Sequence, residues 1–412
     1  MKKRIIASAL AMSFAVPCAF AQDASNVRVS GFGTGALTWT NTDQAEFTRA
    51  NQQTGAKKTP TTGVDSNLGL QIDYKANDWL SLTGQGLVRK DAQDDFGAEL
   101  AWAFAKAKVS DDVSVRLGRM GLPAFMISDY RNVGYANTML RPPNEVYSQN
   151  LFNTIDGADV IWQHTYGDTT YTAQFAAGRN KSDLVSGLNT TGNRMKVVNL
   201  VAEHGPVTVR FGRLTGNLTV NGSSLPLLLN ALNGAAAGYK VPRAAQLATE
   251  LDVTNKKATF TSLGASLDWN NIVVQSEFAK RTTEAYVNDT TSWYVMGGYR
   301  FGKILPYYTH AKITIDGSPD TNLACPAGAP AACAPTVAAL SAKAAGLRYS
   351  GIGQGEQRTD SIGVRWDFRN SVALKVQFDH VRPNKASGLL SNAKPGFTSP
   401  VTVGAVALDF VF

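Results

Sequence analysis

The stretch "VTVGAVALDFVF" (401–412) decides the fold. Val401, Val403, Ala405, Ala407 and Asp409 take one parity, and Val406, Leu408, Phe410 and Phe412 the other. A period of two is the signature of a β-strand. Asp409 sets the phase, because an acid in mid-strand must turn toward water while its apolar neighbours turn the other way. The chain stops on the aromatic Phe412 with no polar tail, although chain ends are usually frayed and solvated. A strand whose outer face meets hydrocarbon cannot leave its backbone unpaired, since each orphaned group costs several kcal/mol. The last strand is therefore expected to pair with the first apolar-alternating stretch, Val27 to Trp39, and close a ring.

The same pattern recurs along the chain. Counting outward from 401–412 gives sixteen segments. Among them are "NLGLQIDY" (67–74), with Leu68, Leu70, Ile72 and Tyr74 on one face, "WLSLTGQGLVR" (79–89), "VTVRFGRLT" (207–215) and "VALKVQFDHV" (372–381). The connections alternate. Turns such as Gly167-Asp168, Gly205-Pro206 and Asn270-Asn271 are tight. Between them lie longer stretches at 40–65, 121–156, 180–193, 216–256, 282–290, 313–356 and 382–400; only Lys90 to Asp95 is short on that side. Aromatics gather at the tight turns: Tyr74, Trp79, Tyr166, Tyr171, Trp269, Tyr299, Phe301, Trp366 and Phe368. The expected fold is all-β, a 16-stranded antiparallel transmembrane β-barrel with short periplasmic turns and long external loops. Phase then puts Arg116, Arg210, Arg365, Lys375, Glu99, Glu203, Glu277, Asp159, Asp268, Asp367, Asp379 and Asp409 toward the lumen. It puts Val115, Leu117, Val209, Phe211, Val364, Trp366, Leu374 and Val376 toward lipid.

Composition agrees. Charged residues are 17% of the 412-residue chain, against about 25% in ordinary soluble proteins. After residue 21 no run of ~20 apolar residues offers a membrane helix. "MKKRIIASALAMSFAVPCAFA" (1–21) has a basic start, an apolar stretch and a small-x-small ending, which is a secretory signal peptide. Residues 22–412 are then the barrel domain, and Cys18 leaves with the signal. Losing Lys2, Lys3 and Arg4 takes the formal charge from +8 to +5. That excess is mild and scattered, so nucleic acid is not expected as a partner. Cys325 and Cys333, in "ACPAGAPAACAP", remain in an exported chain and are expected to form a local disulfide. No metal or cofactor motif is present.

A barrel of sixteen strands is too wide for its side chains to fill and encloses water. The third long loop, "GLPAFMISDYRNVGYANTMLRPPNEVYSQNLFNTID" (121–156), is rich in Phe125, Met126, Tyr130, Tyr135, Met139, Leu140 and Phe152. A loop of that composition folds against something. It is expected to bend into the barrel and narrow it, with Asp129, Arg131, Arg141 and Glu145 facing Arg89 and Arg116 of the wall. Opposed charges across a wet constriction select solutes by charge and size. The competing use of the same charges is as salt bridges between loop and wall.

The signal, sixteen strands, the long third loop, Phe412, "SWYVMGGYRFGKILPYYTHAK" (292–312) and "DSIGVRWDFRNSVALKVQFDHV" (360–381) together resemble the Gram-negative general porins. The resemblance implies a passive, homotrimeric diffusion pore in the outer membrane, passing small hydrophilic solutes and ions. It implies outer-membrane lipid and lipopolysaccharide as surroundings, and barrel-insertion machinery that reads Phe412. Enteric members carry an acid after the loop proline, whereas Pro123 is followed here by Ala124; with the +5 balance this reads as a weak anion preference. No enzymatic activity is expected, because none of the four histidines (164, 204, 310, 380) lies in a nucleophile motif. A substrate-specific channel, an adhesive or structural barrel and a barrel enzyme are the other readings.

Overall fold

A computed structural model describes residues 26–150, 152–222, 224–347 and 355–412. The expected signal peptide, with Cys18, lies outside the described residues. Sixteen strands form: β1 Val27–Thr40, β2 Asn67–Lys75, β3 Leu80–Lys90, β4 Phe96–Lys108, β5 Val113–Gly121, β6 Thr154–Tyr166, β7 Thr169–Asp183 and β8 Asn189–His204. They continue as β9 Val207–Asn221, β10 Lys256–Trp269, β11 Ile272–Thr283, β12 Asp289–Tyr299, β13 Ile304–Gly317, β14 Glu356–Arg369, β15 Val372–Lys385 and β16 Val401–Val411. Each strand pairs antiparallel with its sequence neighbours, and β16 pairs with β1, so the sheet is a closed barrel.

Closure happens where the terminal strand suggested. Leu408 lies opposite Gly35 and Phe410 opposite Gly33. Phe412 N–H donates to the Gly31 carbonyl at 2.9 Å, and Gly31 N–H donates back at 2.9 Å. The Phe412 ring lies over Gly31, whose absent Cβ would fall 2.3 Å from it.

The two faces of the wall differ as the phase demands. Leu68, Leu70, Ile72, Leu117, Phe175, Leu263 and Ile362 are exposed outside, and burying them in hydrocarbon satisfies about 25 cal/mol per Å2 of apolar area. Trp79, Tyr166, Trp269, Phe301 and Phe412 stand exposed at the short-turn end, the level at which aromatic girdles meet headgroups. Lys375, Asp379, Glu277, Arg210, Asp159 and Asp409 are buried inside.

The structure departs from the expected loops where strands run into them: β9 reaches Asn221, β13 Gly317 and β15 Lys385, and the largest change is one connection. The 180–193 connection is nearly all strand: Asn180, Lys181, Ser182 and Asp183 pair with Gly192, Thr191, Thr190 and Asn189. The pairing is made by backbone, so polar strands that rise above the apolar band leave no alternation to read. Three longer helices sit on the long loops: α2 Leu225–Tyr239, α3 Pro242–Leu251 and α4 Cys333–Leu347, after a one-turn α1 Asn144–Tyr147. Pro226 and Pro242 each open a helix, where a missing N–H costs nothing. Leu232, Leu247, Leu251, Val337 and Leu340 are buried in one cluster. Cys325 and Cys333 are bonded at its edge.

Candidate functional site

The connection between β5 and β6, residues 122–153, lies inside the barrel. Its grip on the wall is read from its backbone. Arg210 of β9 donates to the carbonyls of Pro123 (2.6 Å) and Ala124 (3.3 Å), and Ser262 of β10 also donates to Ala124 (2.7 Å). Glu277 of β11 accepts from Met126 N–H (2.9 Å) and Tyr147 Oη (2.6 Å). Arg365 of β14 donates to the carbonyls of Tyr135 (2.8 Å) and Asn137 (2.9 Å). Lys375 of β15 reaches the carbonyls of Gly134 (2.7 Å), Asn137 (2.5 Å) and Met139 (3.1 Å), and pairs with Asp409 at 2.9 Å. A non-helical segment needs this, because its backbone groups lack internal partners and would be costly to bury alone. Gly134 is required: a Cβ there would sit 2.1 Å from Asp409 Oδ1.

Apolar packing works with these bonds. The Phe125 ring lies 4.6 Å from Tyr147 and 5.0 Å from Phe260 of β10. Leu140 N–H donates to Tyr307 Oη of β13 (3.0 Å) and Gln377 of β15 (3.1 Å). Every partner named so far stands on β9 to β16. The inserted segment therefore leans on one half of the barrel.

The other half is touched less, by Val133 against Phe32, Leu87 and Ala101 of β1, β3 and β4. Between the segment and β2–β5 lies a cavity of about 400 Å3, continuous with solvent, bordered by Gln85, Arg89, Glu99, Trp102, Asp129 and Arg131. Arg89 pairs with Glu99 at 2.9 Å across β3 and β4. Arg131 donates to Asn153 Oδ1, and Asp129 is exposed.

Of the six residues expected at the constriction, three border this space: Arg89, Asp129 and Arg131. Arg116 faces inward but is held sideways by Asp159, at 2.5 Å and 3.0 Å, with its guanidinium 5.1 Å over the Phe104 ring. Arg141 and Glu145 do not line the opening. Arg141 is buried between Asp65 (2.7 Å) and Asp379 (3.3 Å) and lies over Phe47. Glu145 is buried and accepts from Thr359 (2.5 Å) and Gln357 (2.6 Å) of β14; burial raises its pKa above the usual 4.5. Arg141 takes the salt-bridge use, because a buried charge is stable inside only when paired, whereas Glu145 is tied to the wall by hydrogen bonds from neutral side chains. Asp65 gave no signal in the sequence: it lies in the irregular first loop. It accepts from Thr38 (2.7 Å) and Arg49 (3.2 Å) as well as Arg141.

Among the described residues no group of three or more His, Cys, Asp or Glu side chains is arranged to hold a metal ion.

The fold is that of solved outer-membrane barrels. OmpF of Salmonella typhi, in complex with daunomycin, superposes with a TM-score of 0.53 at 12% identity, covering 94% of this chain and 97% of that one. The anion-selective porin from Comamonas acidovorans gives 0.51 at 12%, over 94% and 99%. OmpT, an outer membrane protein of Vibrio cholerae, gives 0.52 at 11%, over 94% and 97%, and a further OmpT structure at 0.50 is of a trimer form. No family model matches the sequence, and no curated protein does. At such identities the likeness is one of fold. The expectation of no enzymatic activity is corrected accordingly. OmpT, an outer membrane protein, shares this barrel, and one scaffold hosts unrelated activities. The fold thus does not separate a catalyst from a pore.

Proposed function

We propose that the chain is an outer-membrane porin of a Gram-negative bacterium, conducting small hydrophilic solutes and ions by passive diffusion. One observation carries the reading. The inserted segment is clamped by Arg210, Glu277, Arg365 and Lys375 to one half of the wall, and a solvent-continuous polar space remains beside the other half. A plug would fill the lumen, whereas here polar space remains beside the segment, which supports the reading. The space is bordered by both signs of charge: Arg131 and Asp129 on the segment, Arg89 and Glu99 on the wall. Together with the +5 balance of residues 22–412 this supports a weak anion preference.

A homotrimer is part of the proposal. The outer face of β1 and β3 carries small residues among its leucines: Gly35, Gly84 and Gly86 have open space where a side chain would be, and small residues let neighbouring barrels approach closely. The trimer form of OmpT supplies a precedent on the same fold. Phe412, exposed at the closing edge, is the proposed signal for the insertion machinery.

Planar-bilayer recording tests the function. The purified protein is expected to open in three large ohmic steps without ligand, with a slightly anion-selective reversal potential in a salt gradient. Arg131→Ser is expected to move that potential toward cations and Asp129→Asn toward anions. No conductance, or block by a single solute at micromolar concentration, would overturn the diffusion reading.

A further inference from the structure

An irregularity in β4 re-aims a tryptophan. In a regular strand Leu100 and Trp102 would share a face. Here Gln85 of β3 lies opposite Trp102 and Gly86 opposite Leu100, which leaves Ala101 as the extra residue of a β-bulge. Leu100 stays exposed outside, whereas Ala101 and Trp102 both turn inward against Phe32 and Leu87. Bulges redirect side chains in this way and are common beside functional sites. An indole on the inner face cannot serve the lipid girdle.

Trp102 borders the cavity beside the inserted segment. Of the other rings on that border, Phe32 and Tyr147 are buried, whereas Trp102 is partly exposed. Its neighbour Phe104, at 6.4 Å, has the Arg116 guanidinium over its face. Trp102 is therefore the aromatic surface that the cavity offers to a solute. Gly121 of the segment keeps that surface clear: a Cβ there would lie 3.3 Å from Trp102 Nε1 and 3.1 Å from Asp129 Oδ1. The indole edge and the Asp129 carboxylate thus converge on one point.

Toward the long loops the same cavity turns positive. Arg89 stands four residues beyond Gln85 on β3, about 13 Å along the strand. It pairs with Glu99, and Arg49 shares Asp65 with Arg141. Arg131 donates to the neutral Asn153 and makes no salt bridge among the described residues. Burial first, and then Arg89 and Arg49, push the pKa of Arg131 down to about 9. Three guanidinium groups therefore crowd one part of the cavity, with fewer carboxylates than they could use. The charges that act on Asp129 are different ones, Arg116, Arg210 and Asp159. Acid and guanidinium cluster are thus separated, with the indole beside the acid. At about 400 Å3 the cavity has the size of small-molecule sites, about 300–1,000 Å3.

We propose that this wall binds a single-ring aromatic carboxylate with a hydroxyl on the far side of its ring. The carboxylate sits on Arg131 and Arg89, the ring stacks on Trp102, and the hydroxyl donates to Asp129. A guanidinium fork holds a carboxylate by two parallel hydrogen bonds. Stacking on an indole strengthens the contact by about two- to tenfold. The inference deepens the pore reading by naming a solute class that the lumen retains. It rests on that reading for the passage of the solute, but not for its binding.

The protein purified in detergent is titrated with 4-hydroxybenzoate and followed by ligand-observed NMR. Half-saturation is expected in the millimolar range, weak enough for the solute to leave again. Three probes of similar size are each expected to bind at least about fivefold more weakly. They are 4-methoxybenzoate, which has no donor for Asp129, 4-hydroxycyclohexanecarboxylate, which has no aromatic face, and 4-hydroxybenzyl alcohol, which has no charge. Trp102→Leu is expected to abolish the preference for the aromatic over the saturated acid. Arg131→Gln is expected to weaken 4-hydroxybenzoate about tenfold and to leave 4-hydroxybenzyl alcohol unchanged. The comparison of probes on the unsubstituted protein decides the matter even where a variant fails to fold. Equal binding of 4-hydroxybenzoate and any of the three probes, or an undiminished ring preference in folded Trp102→Leu, would overturn the site. Large ohmic conductance without that preference would sink this inference and leave the pore reading. The preference in detergent without conductance in bilayers would do the reverse.

Discussion

Lys375 shows how one residue can hold a loop. Its ammonium is fully buried, pairs with Asp409 and spends its donors on three carbonyls of the inserted segment. Asp409 also accepts from Thr34 at 2.5 Å, so the two charges tie β1, β15, β16 and the segment together. Replacing a buried ion pair can be neutral, but removing one partner strands the other charge in low dielectric. Lys375→Met is therefore expected to destabilise the barrel by about 3–5 kcal/mol. A lower temperature of the heat-induced gel shift checks this, with noisier single-channel current as the segment loosens. Adding Asp409→Asn is expected to recover much of the stability but not the quiet current, because the carbonyls still lack their donor. Equal stability of Lys375→Met and the parent would remove the residue from this role. Arg141 and Glu145 make the same point from the loop side. Their types were legible in the sequence, but not their partners, Asp65 and Asp379 for one and Gln357 and Thr359 for the other.

At the scale of elements, strands and cap follow different rules. The strands were legible because hydrocarbon and water on opposite flanks impose a period of two on side chains. The pattern faded only above the membrane, where β7 and β8 continue as polar strands. The cap of α2, α3 and α4 obeys ordinary aqueous packing, with Leu232, Leu247 and Leu340 buried together. The Cys325–Cys333 bond closes a short loop at the start of α4, worth about 2–3 kcal/mol in the chain-entropy account. Cys325→Ser, or reduction, is expected to make 318–347 sensitive to protease while leaving the barrel resistant. Limited proteolysis with and without reductant checks it. Loss of the folded barrel on reduction would show that the cap is part of the core rather than an appendage.

For the whole molecule the decisive contact is the seam. Phe412 and Gly31 exchange backbone hydrogen bonds and the ring covers the glycine. The remaining seam runs from Gly33 opposite Phe410 to Thr40 opposite Val403. Deleting Phe412 removes two of these bonds and a ring from the girdle, a loss of about 1–3 kcal/mol from a long ladder. The expected result is a barrel that still refolds in detergent but reaches the membrane in much reduced yield, measured by gel shift in isolated membranes. Unchanged yield would remove Phe412 as an insertion signal.

The sequence by itself determined the closed sixteen-strand barrel, which side chains face inward, and that 121–156 folds against something. It could do so because each of these is imposed locally, by the solvent that alternate residues meet. Which wall strands hold the segment's backbone and which charges become its anchors were decided only by the tertiary structure. Those features depend on register between strands far apart in the chain, and register is fixed by closing the ring.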